Sequence, residues 1–121
     1  MPTPMTTSEE PVFDRWDVAV ALFPFTEIDQ RRPRPVLVLS NAAFNRAHRH
    51  VIAAMITTGA GSRWESDHAI IELGPTGLGH PSLVRWKLFT LPFEVVPRKV
   101  GVLDASDRGL LAVKMAGILM G

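Results

Sequence analysis

RRPRPVLVLSN, residues 31–41, places three arginines and two prolines directly before a run of four branched apolar residues. The VLVL segment (36–39) is apolar on both faces and bounded by a proline and a serine, which favours a short central strand. Pro33 and Pro35 restrict the backbone on both sides of Arg34, so its guanidinium stands on a stiff stem at the start of this strand. A charged segment on its own is more often a solvated loop than a binding site. A function for Arg34 therefore needs support from other parts of the sequence.

Alternating or uniformly apolar runs on either side of this stretch predict further strands. They are WDVAVALFPFT (16–26), HVIAAMITT (50–58), SDHAIIEL (66–73), SLVRWKLFTL (82–91) and RKVGVL (98–103). A short helix is expected over 42–49, capped by Ser40 or Asn41. A terminal helix is expected after its N-cap Asp104, with an apolar stripe of Leu111, Met115, Ile118 and Leu119. These elements predict a mainly β, α+β fold: a small, twisted antiparallel sheet or barrel with the C-terminal helix over one face or opening.

Length and composition fit one globular domain. The 121 residues are 46% hydrophobic and 21% charged, with a formal net charge of +1, so a basic surface has to come from local clustering. Residues 1–12 are rich in Pro, Thr, Ser and Glu and are expected to be disordered, which leaves a single domain over 13–121. The sequence has no cysteine, no signal-peptide pattern and no apolar run near the roughly 20 residues of a membrane helix, so a cytoplasmic location without membrane contact is expected.

Five further residues are candidates for contact with a nucleic acid. Thr57 and Thr58 end an apolar strand, where a hydroxyl at the sheet rim can bond a phosphate oxygen, although simple strand termination explains them too. Arg85 and Lys87 are two residues apart on a strand and project from one face, as a basic pair or as an ordinary solvent face. Trp64 lies in a glycine-bearing loop, where an aromatic ring beside positive charge can stack an unpaired base, although such a ring more often folds back on the core.

The histidines do not predict a metal site. In the HRH triplet (48–50), His48 and His50 are spaced as alternate strand residues, but no carboxylate or third histidine follows at ligand spacing. His68 and His80 are isolated in the sequence. Phosphate-binding loops, nucleophile elbows and paired acidic motifs are also missing, and we therefore expect no metal and no cofactor.

In their order along the chain, these segments resemble the MazF/PemK (Kid-like) family of toxin endoribonucleases from bacterial toxin–antitoxin pairs. The resemblance runs from about residue 16 to the end and consists of Asp17, FPFT (23–26), RPVLVLSN (34–41), FNR (44–46), ITT (56–58), PSLVRWKLFT (81–90), RKVGVL (98–103) and a terminal helix. It implies an SH3-like barrel of the CcdB/MazF type, assembled as a homodimer. Two departures stand out: the family usually has glycine where this chain has Trp16, and the loop before Arg34 lacks the glycine and glutamate common in many members.

The same resemblance implies metal-independent, sequence-specific cleavage of single-stranded RNA by an mRNA interferase that inhibits growth. It also implies an antitoxin whose extended tail covers the groove, and it assigns the catalytic roles to Arg34 and Thr57. The chemistry agrees, because attack by a ribose 2′-OH needs a stabilised phosphorane, and a guanidinium, which holds its proton firmly, is a poor base but a good anion partner. The predicted RNA-binding residues are Asp17, Thr26, Arg32, Thr58, Trp64, Arg85 and Lys87.

Two other functions stay open at this point. Trp16 and the altered loop 27–33 fit a non-catalytic member of the same barrel, either a binding module or a toxin that acts on a protein partner. Alternatively, Arg85, Lys87 and Trp64 fit a general single-strand binder, which would show steep salt dependence without a cleavage product.

Overall fold

The structure, a computed structural model, describes residues 12–23 and 32–121. Six strands within these residues form one antiparallel, curled sheet: β1 (Asp17–Ala21), β2 (Arg34–Val38), β3 (His50–Thr57), β4 (His68–Ala69), β5 (Leu83–Pro92) and β6 (Arg98–Val102). The described residues also form two helices, α1 (Ala42–His48) and α2 (Ala105–Leu119). Two 3₁₀ turns lie at Gly74–Thr76 and Phe93–Val95. The predicted disorder of residues 1–12 and the predicted RNA contact of Thr26 fall outside the described residues, apart from Val12.

The sheet confirms the predicted fold class. Its strand order is β4-β5-β3-β2-β1-β6, and each neighbouring pair is antiparallel. The VLVL segment lies in β2 and just after it, between β1 and β3, as expected for a central strand. Residues that alternate along the strands form two apolar clusters on opposite faces, because successive side chains of a strand point to opposite sides.

Trp16 adopts a backbone conformation that suits the glycine expected at this position from the resemblance. Its φ is 79°, in the left-handed region that a bulky side chain seldom occupies. Two hydrogen bonds fix this conformation: Trp16 N–H donates to the Val38 carbonyl (2.7 Å), and Leu103 N–H donates to the Trp16 carbonyl (2.8 Å). The indole packs against the second apolar cluster, so the burial of the ring offsets some of the backbone strain.

Both helices begin at a capping side chain, as expected. Asn41 Oδ1 accepts a hydrogen bond from Phe44 N–H (2.9 Å) at the start of α1, and Asp104 accepts one from Ser106 N–H (3.0 Å) at the start of α2. The predicted apolar stripe of α2 is only partly correct. Leu111 is fully buried and Met115 packs against the second cluster, but Ile118 and Leu119 are 47% and 57% exposed, because no described element covers the last turns of the helix.

The strand predicted over 66–73 is wrong beyond its centre. Only His68–Ala69 pairs with β5, and the backbone then turns away. The N–H groups of Ile71 and Glu72 donate instead to the carboxylate of Asp107, at 2.9 and 3.0 Å. The backbone therefore leaves the ladder because a buried side chain takes over its hydrogen bonds.

Candidate active site

Arg34 and Thr57 lie on neighbouring strands and line the same groove. The register of β2 and β3 pairs Val36 with Met55, and two residues further along each strand this register sets Arg34 across from Thr57. Residues directly opposite in an antiparallel pair project from the same face of the sheet, with Cβ atoms about 4.5–5.5 Å apart. The structure thus brings together the two residues that the sequence analysis assigned to catalysis.

The two side chains line one groove of about 370 Å³ on this face of the sheet. It is bounded by strand residues and by the segment before β5: Phe23, Arg34, Pro35, Met55, Ile56, Thr57, Thr58, Leu78, Gly79, His80 and Ser82. Arg34 Nε is buried and has no hydrogen-bond partner within the part of the chain that the structure describes. Because an unpaired buried guanidinium N–H is costly, the site favours an anionic acceptor such as a phosphate oxygen.

The hydroxyl of Thr57 is oriented by the turn that follows β3. Thr57 Oγ1 accepts a hydrogen bond from Gly59 N–H (3.2 Å), which leaves the hydroxyl proton available to a ligand. Gly59 has φ of +76°, and a Cβ added there would lie 2.6 Å from Leu83 Cδ1. The positive φ therefore favours glycine at this turn, which orients a hydrogen-bond donor beside Arg34.

Arg85 organises the loop that carries Trp64. Its guanidinium donates to both carboxylate oxygens of Asp67, Nε at 3.0 Å and Nη2 at 2.8 Å, and Nη2 also donates to the Ser62 carbonyl at 2.9 Å. The hydrogen bond from Arg85 is the main cause of a lowered pKa of Asp67. The indole of Trp64 stacks over the same guanidinium, 5.0 Å from its carbon to the ring centroid, and remains 43% exposed. The cluster fixes one face of the ring and leaves the indole partly open to a ligand.

This cluster lies on the face of the sheet that carries the groove. Arg85 on β5 pairs with Met55 on β3, and Met55 lines the groove. Leu83 and Phe89 on β5 pair with Thr57 and Ala53 on β3, so they share this face with Arg85. Arg85 is not solvated, however, because only 9% of it is exposed.

The other predicted binding residues are spread more widely. Thr58 is exposed on the rim of the groove, and Arg32 is exposed just before β2. Lys87 is exposed and lies at the irregularity in β5, where the register with β3 shifts. Asp17 is not at the groove: it is 5% exposed, forms an ion pair with Lys99 (3.1 Å), and its register places it about 13 Å along β2 from Arg34, at roughly 3.3 Å per residue.

His80 is a groove residue that sequence reasoning missed. No potential partner lies near His80 in the sequence. Long-range strand pairing places Arg34 and Thr57 in the same groove as His80. The only signal that the sequence offers is its position between Gly79 and Pro81, in the short segment that precedes β5.

Neither a metal centre nor a membrane span is found where the structure could be searched. The ranges 12–23 and 32–121 hold no group of three or more His, Cys, Asp or Glu side chains able to bind a metal ion. In those same two segments, no helix combines the length and the apolar character needed to cross a bilayer.

Solved structures with this fold are found among bacterial toxins. An endoribonuclease in complex with its cognate antitoxin from a mycobacterial species has a TM-score of 0.69 at 19% identity, covering 89% of this chain and 93% of that chain. A MazE–MazF structure from Deinococcus radiodurans has a TM-score of 0.69 at 20% identity, with 90% and 96% covered. The toxin MazF-mt6 of Mycobacterium tuberculosis has a TM-score of 0.63 at 27% identity, with 84% and 93% covered. These similarities confirm the fold.

The sequence identifies the family as well. No curated protein matches the chain. The family model for the PemK-like, MazF-like toxins of type II toxin–antitoxin systems, however, matches residues 14–116. This match spans most of the chain and includes the strands that carry Arg34 and Thr57. The chain is therefore a member of the PemK-like, MazF-like toxin family of type II toxin–antitoxin systems.

Proposed function

We propose that the chain is an endoribonuclease, the toxin that cleaves single-stranded RNA at short sequence motifs without a metal ion. The observation that carries this proposal is the pair of Arg34 and Thr57 across one groove, with a buried guanidinium N–H that has no acceptor among the described residues. Membership of the toxin family supports an RNA-cleaving activity, and solved structures of the same fold include endoribonucleases. The substrate would be cytoplasmic RNA.

The mechanism uses the groove residues in two roles. The ribose 2′-oxygen attacks the adjacent phosphorus, the bond from phosphorus to the 5′-oxygen breaks, and the products are a 2′,3′-cyclic phosphate and a 5′-hydroxyl. Arg34 stabilises the additional negative charge of the phosphorane with a fixed, permanently protonated fork. The Thr57 hydroxyl donates a further hydrogen bond to the same phosphate. Because the nucleophile is the 2′-OH, DNA of the same sequence is not cleaved.

The test of this function is an RNA cleavage assay with the full chain in excess chelator. We expect cleavage of a long single-stranded transcript at a few motifs, cyclic phosphate and 5′-hydroxyl ends, and no cleavage of the matching DNA. Mapping the new 5′ ends identifies the motif. Tight binding of RNA or of a protein partner without any cut would refute the endoribonuclease and favour a binding module.

Trp64 supplies a stacking surface for an unpaired base in this proposal. Replacing Trp64 with alanine should weaken binding of a non-cleavable 2′-O-methyl copy of the cleaved segment by about 5- to 100-fold, since one stacked base contributes about 1–3 kcal/mol. Trp64→Phe, which keeps an aromatic face, should lose much less. Fluorescence anisotropy measures both affinities, and equal binding by the alanine and phenylalanine variants would remove this role.

The exposed end of α2 supports assembly with another protein. Ile118, Leu119 and Met120, at the end of the helix and just after it, are 47–83% exposed, and Leu119 also borders a second groove with Phe44 and Met115. Exposed apolar groups clustered in this way are typical of an interface. The proposed partners are a second copy of the chain, in a homodimer, and a cognate antitoxin, as in the endoribonuclease complex of the same fold.

We expect the free chain to sediment as a dimer at micromolar concentration. Leu119→Asp should shift it toward the monomer, because burying a carboxylate in an apolar interface costs several kcal/mol. Sedimentation equilibrium measures the mass. A wild-type chain that stays monomeric at these concentrations would contradict the homodimer.

A further inference from the structure

One histidine in the groove is left without a role by the mechanism above. His80 borders the groove together with Arg34 and Thr57, and its side chain is exposed. Among the described residues that line this groove, only His80 and Arg34 carry ionisable side chains, and a guanidinium stays protonated at any physiological pH. We propose that neutral His80 is the general base that removes the proton from the attacking 2′-OH, an inference that rests on the proposed RNA cleavage.

The segment that carries His80 is anchored on both sides. The turn before it packs its backbone against β6 so closely that a Cβ on Gly101 would lie 2.4 Å from the Thr76 carbonyl oxygen, and a Cβ on Gly77 would lie 2.3 Å from the Val100 carbonyl oxygen. After it, the Ser82 hydroxyl donates to the His80 carbonyl (2.8 Å). An exposed side chain on a fixed backbone is suited to act on a bound substrate, because little ordering is needed when the substrate arrives.

Histidine has the chemistry that this step needs. An imidazole in its neutral form has a ring nitrogen that can accept a proton, and histidine is the side chain that most often acts as a general base. The 2′-OH proton moves to a ring nitrogen of His80 while the bond from the 2′-oxygen to phosphorus forms and the bond to the 5′-oxygen breaks. The departing 5′-oxygen takes a proton from water, and the hydroxide that remains returns the imidazolium to its neutral form. Arg34 and Thr57 retain the charge-stabilising roles.

The test is the pH dependence of single-turnover cleavage of one RNA transcript in chelator. For the wild-type chain we expect the rate to rise with pH and then to level off, as for a base that acts in its unprotonated form. His80→Ala should lower the plateau rate by about 10²- to 10⁴-fold and remove the rise, with little change in the affinity for non-cleavable RNA. Adding imidazole to His80→Ala should restore part of the rate, which a merely structural role of His80 would not allow.

His48→Ala is the matched control, because His48 is an exposed histidine on α1 that does not line the groove. It should keep the wild-type rate and pH profile. Full activity of His80→Ala with an unchanged profile, in a chain whose Arg34→Ala variant is inactive, would overturn the role of His80 and leave the proposed function intact. Absence of cleavage by the wild-type chain would overturn both proposals.

Discussion

Replacing Arg34 with alanine should lower the rate of RNA cleavage by roughly 10²- to 10³-fold while the chain stays folded. The size of the effect follows from the position of the guanidinium. It lies across from Thr57 in a partly enclosed groove, where a fixed positive charge stabilises a phosphorane more strongly than it would in water. Single-turnover rates in chelator, measured with a transcript that the wild-type chain cleaves, give the comparison.

The folded state should tolerate this substitution. Arg34 Nε is buried without a partner among the described residues, so alanine removes an unsatisfied donor instead of a native hydrogen bond. The flanking Pro33 and Pro35 continue to restrict the backbone. Urea denaturation should therefore show a midpoint close to that of the wild-type chain, which separates a catalytic effect from unfolding.

Three further variants sharpen the result. Arg34→Lys keeps the positive charge but loses the bidentate fork, and should have a rate between those of wild type and Arg34→Ala. Arg46→Ala removes an exposed arginine from α1, which does not line the groove, and should keep the wild-type rate. Thr57→Ala removes one neutral hydrogen bond and should cost about 2- to 10-fold. Equal rates for the wild-type chain, Arg34→Ala and Thr57→Ala would remove both assignments.

The sequence predicted most strands and both helix caps because those features are local. Apolar periodicity, flanking prolines and capping residues lie within a few positions of the element that they define, as for β2 and for Asn41 at the start of α1. The pairing of Arg34 with Thr57 was reached through resemblance to a family. Nothing in the local pattern relates two residues 23 positions apart, and the register of β2 and β3 provides that relation.

The errors and omissions share one cause, namely contacts between distant parts of the chain. The prediction of Arg85 and Lys87 as a basic pair did not anticipate that the carboxylate of Asp67 would bind Arg85. His80 was set aside because its neighbours in the groove come from other strands. The predicted strand over 66–73 failed because a helix residue near the other end of the sequence, Asp107, binds its backbone. Periodicity carries no information about such partners.

Replacing Asp107 with alanine should destabilise the fold by about 3–5 kcal/mol, the cost of removing one partner of a buried charged network. Asp107 is fully buried, and its carboxylate accepts hydrogen bonds from His68 Nε2 (2.7 Å) and from the N–H groups of Ile71 and Glu72. Alanine leaves all three donors without this acceptor. For a domain of this size, the melting temperature should fall by more than about 10 °C.

The matched control is Asp104→Ala in the same first turn of α2. Asp104 is the N-cap and accepts from Ser106, so its loss should cost only about 1 kcal/mol. Urea denaturation of both variants compares the two carboxylates directly. A loss for Asp107→Ala no larger than that for Asp104→Ala would show that the buried network contributes little beyond an ordinary cap.

The pH dependence of stability gives an independent check on Asp107. Burial opposes ionisation of its carboxyl, but the backbone donors of Glu72 and Ile71 and the neighbouring His68 together hold its pKa below the usual 3.8. A carboxyl whose pKa is lower in the folded state stabilises the fold above the unfolded-state pKa, and loses this contribution as the pH falls through the folded-state value. The free energy of unfolding of the wild-type chain should therefore fall below about pH 4. Asp107→Asn should start from a lower stability, because its single amide oxygen cannot replace both carboxylate oxygens as acceptors. Because the amide cannot ionise, the stability of this variant should also decline less as the pH falls. Asp107 binds the backbone of Ile71 and Glu72, which precede the segment that carries His80. Loss of Asp107 should therefore also reduce the rate of RNA cleavage.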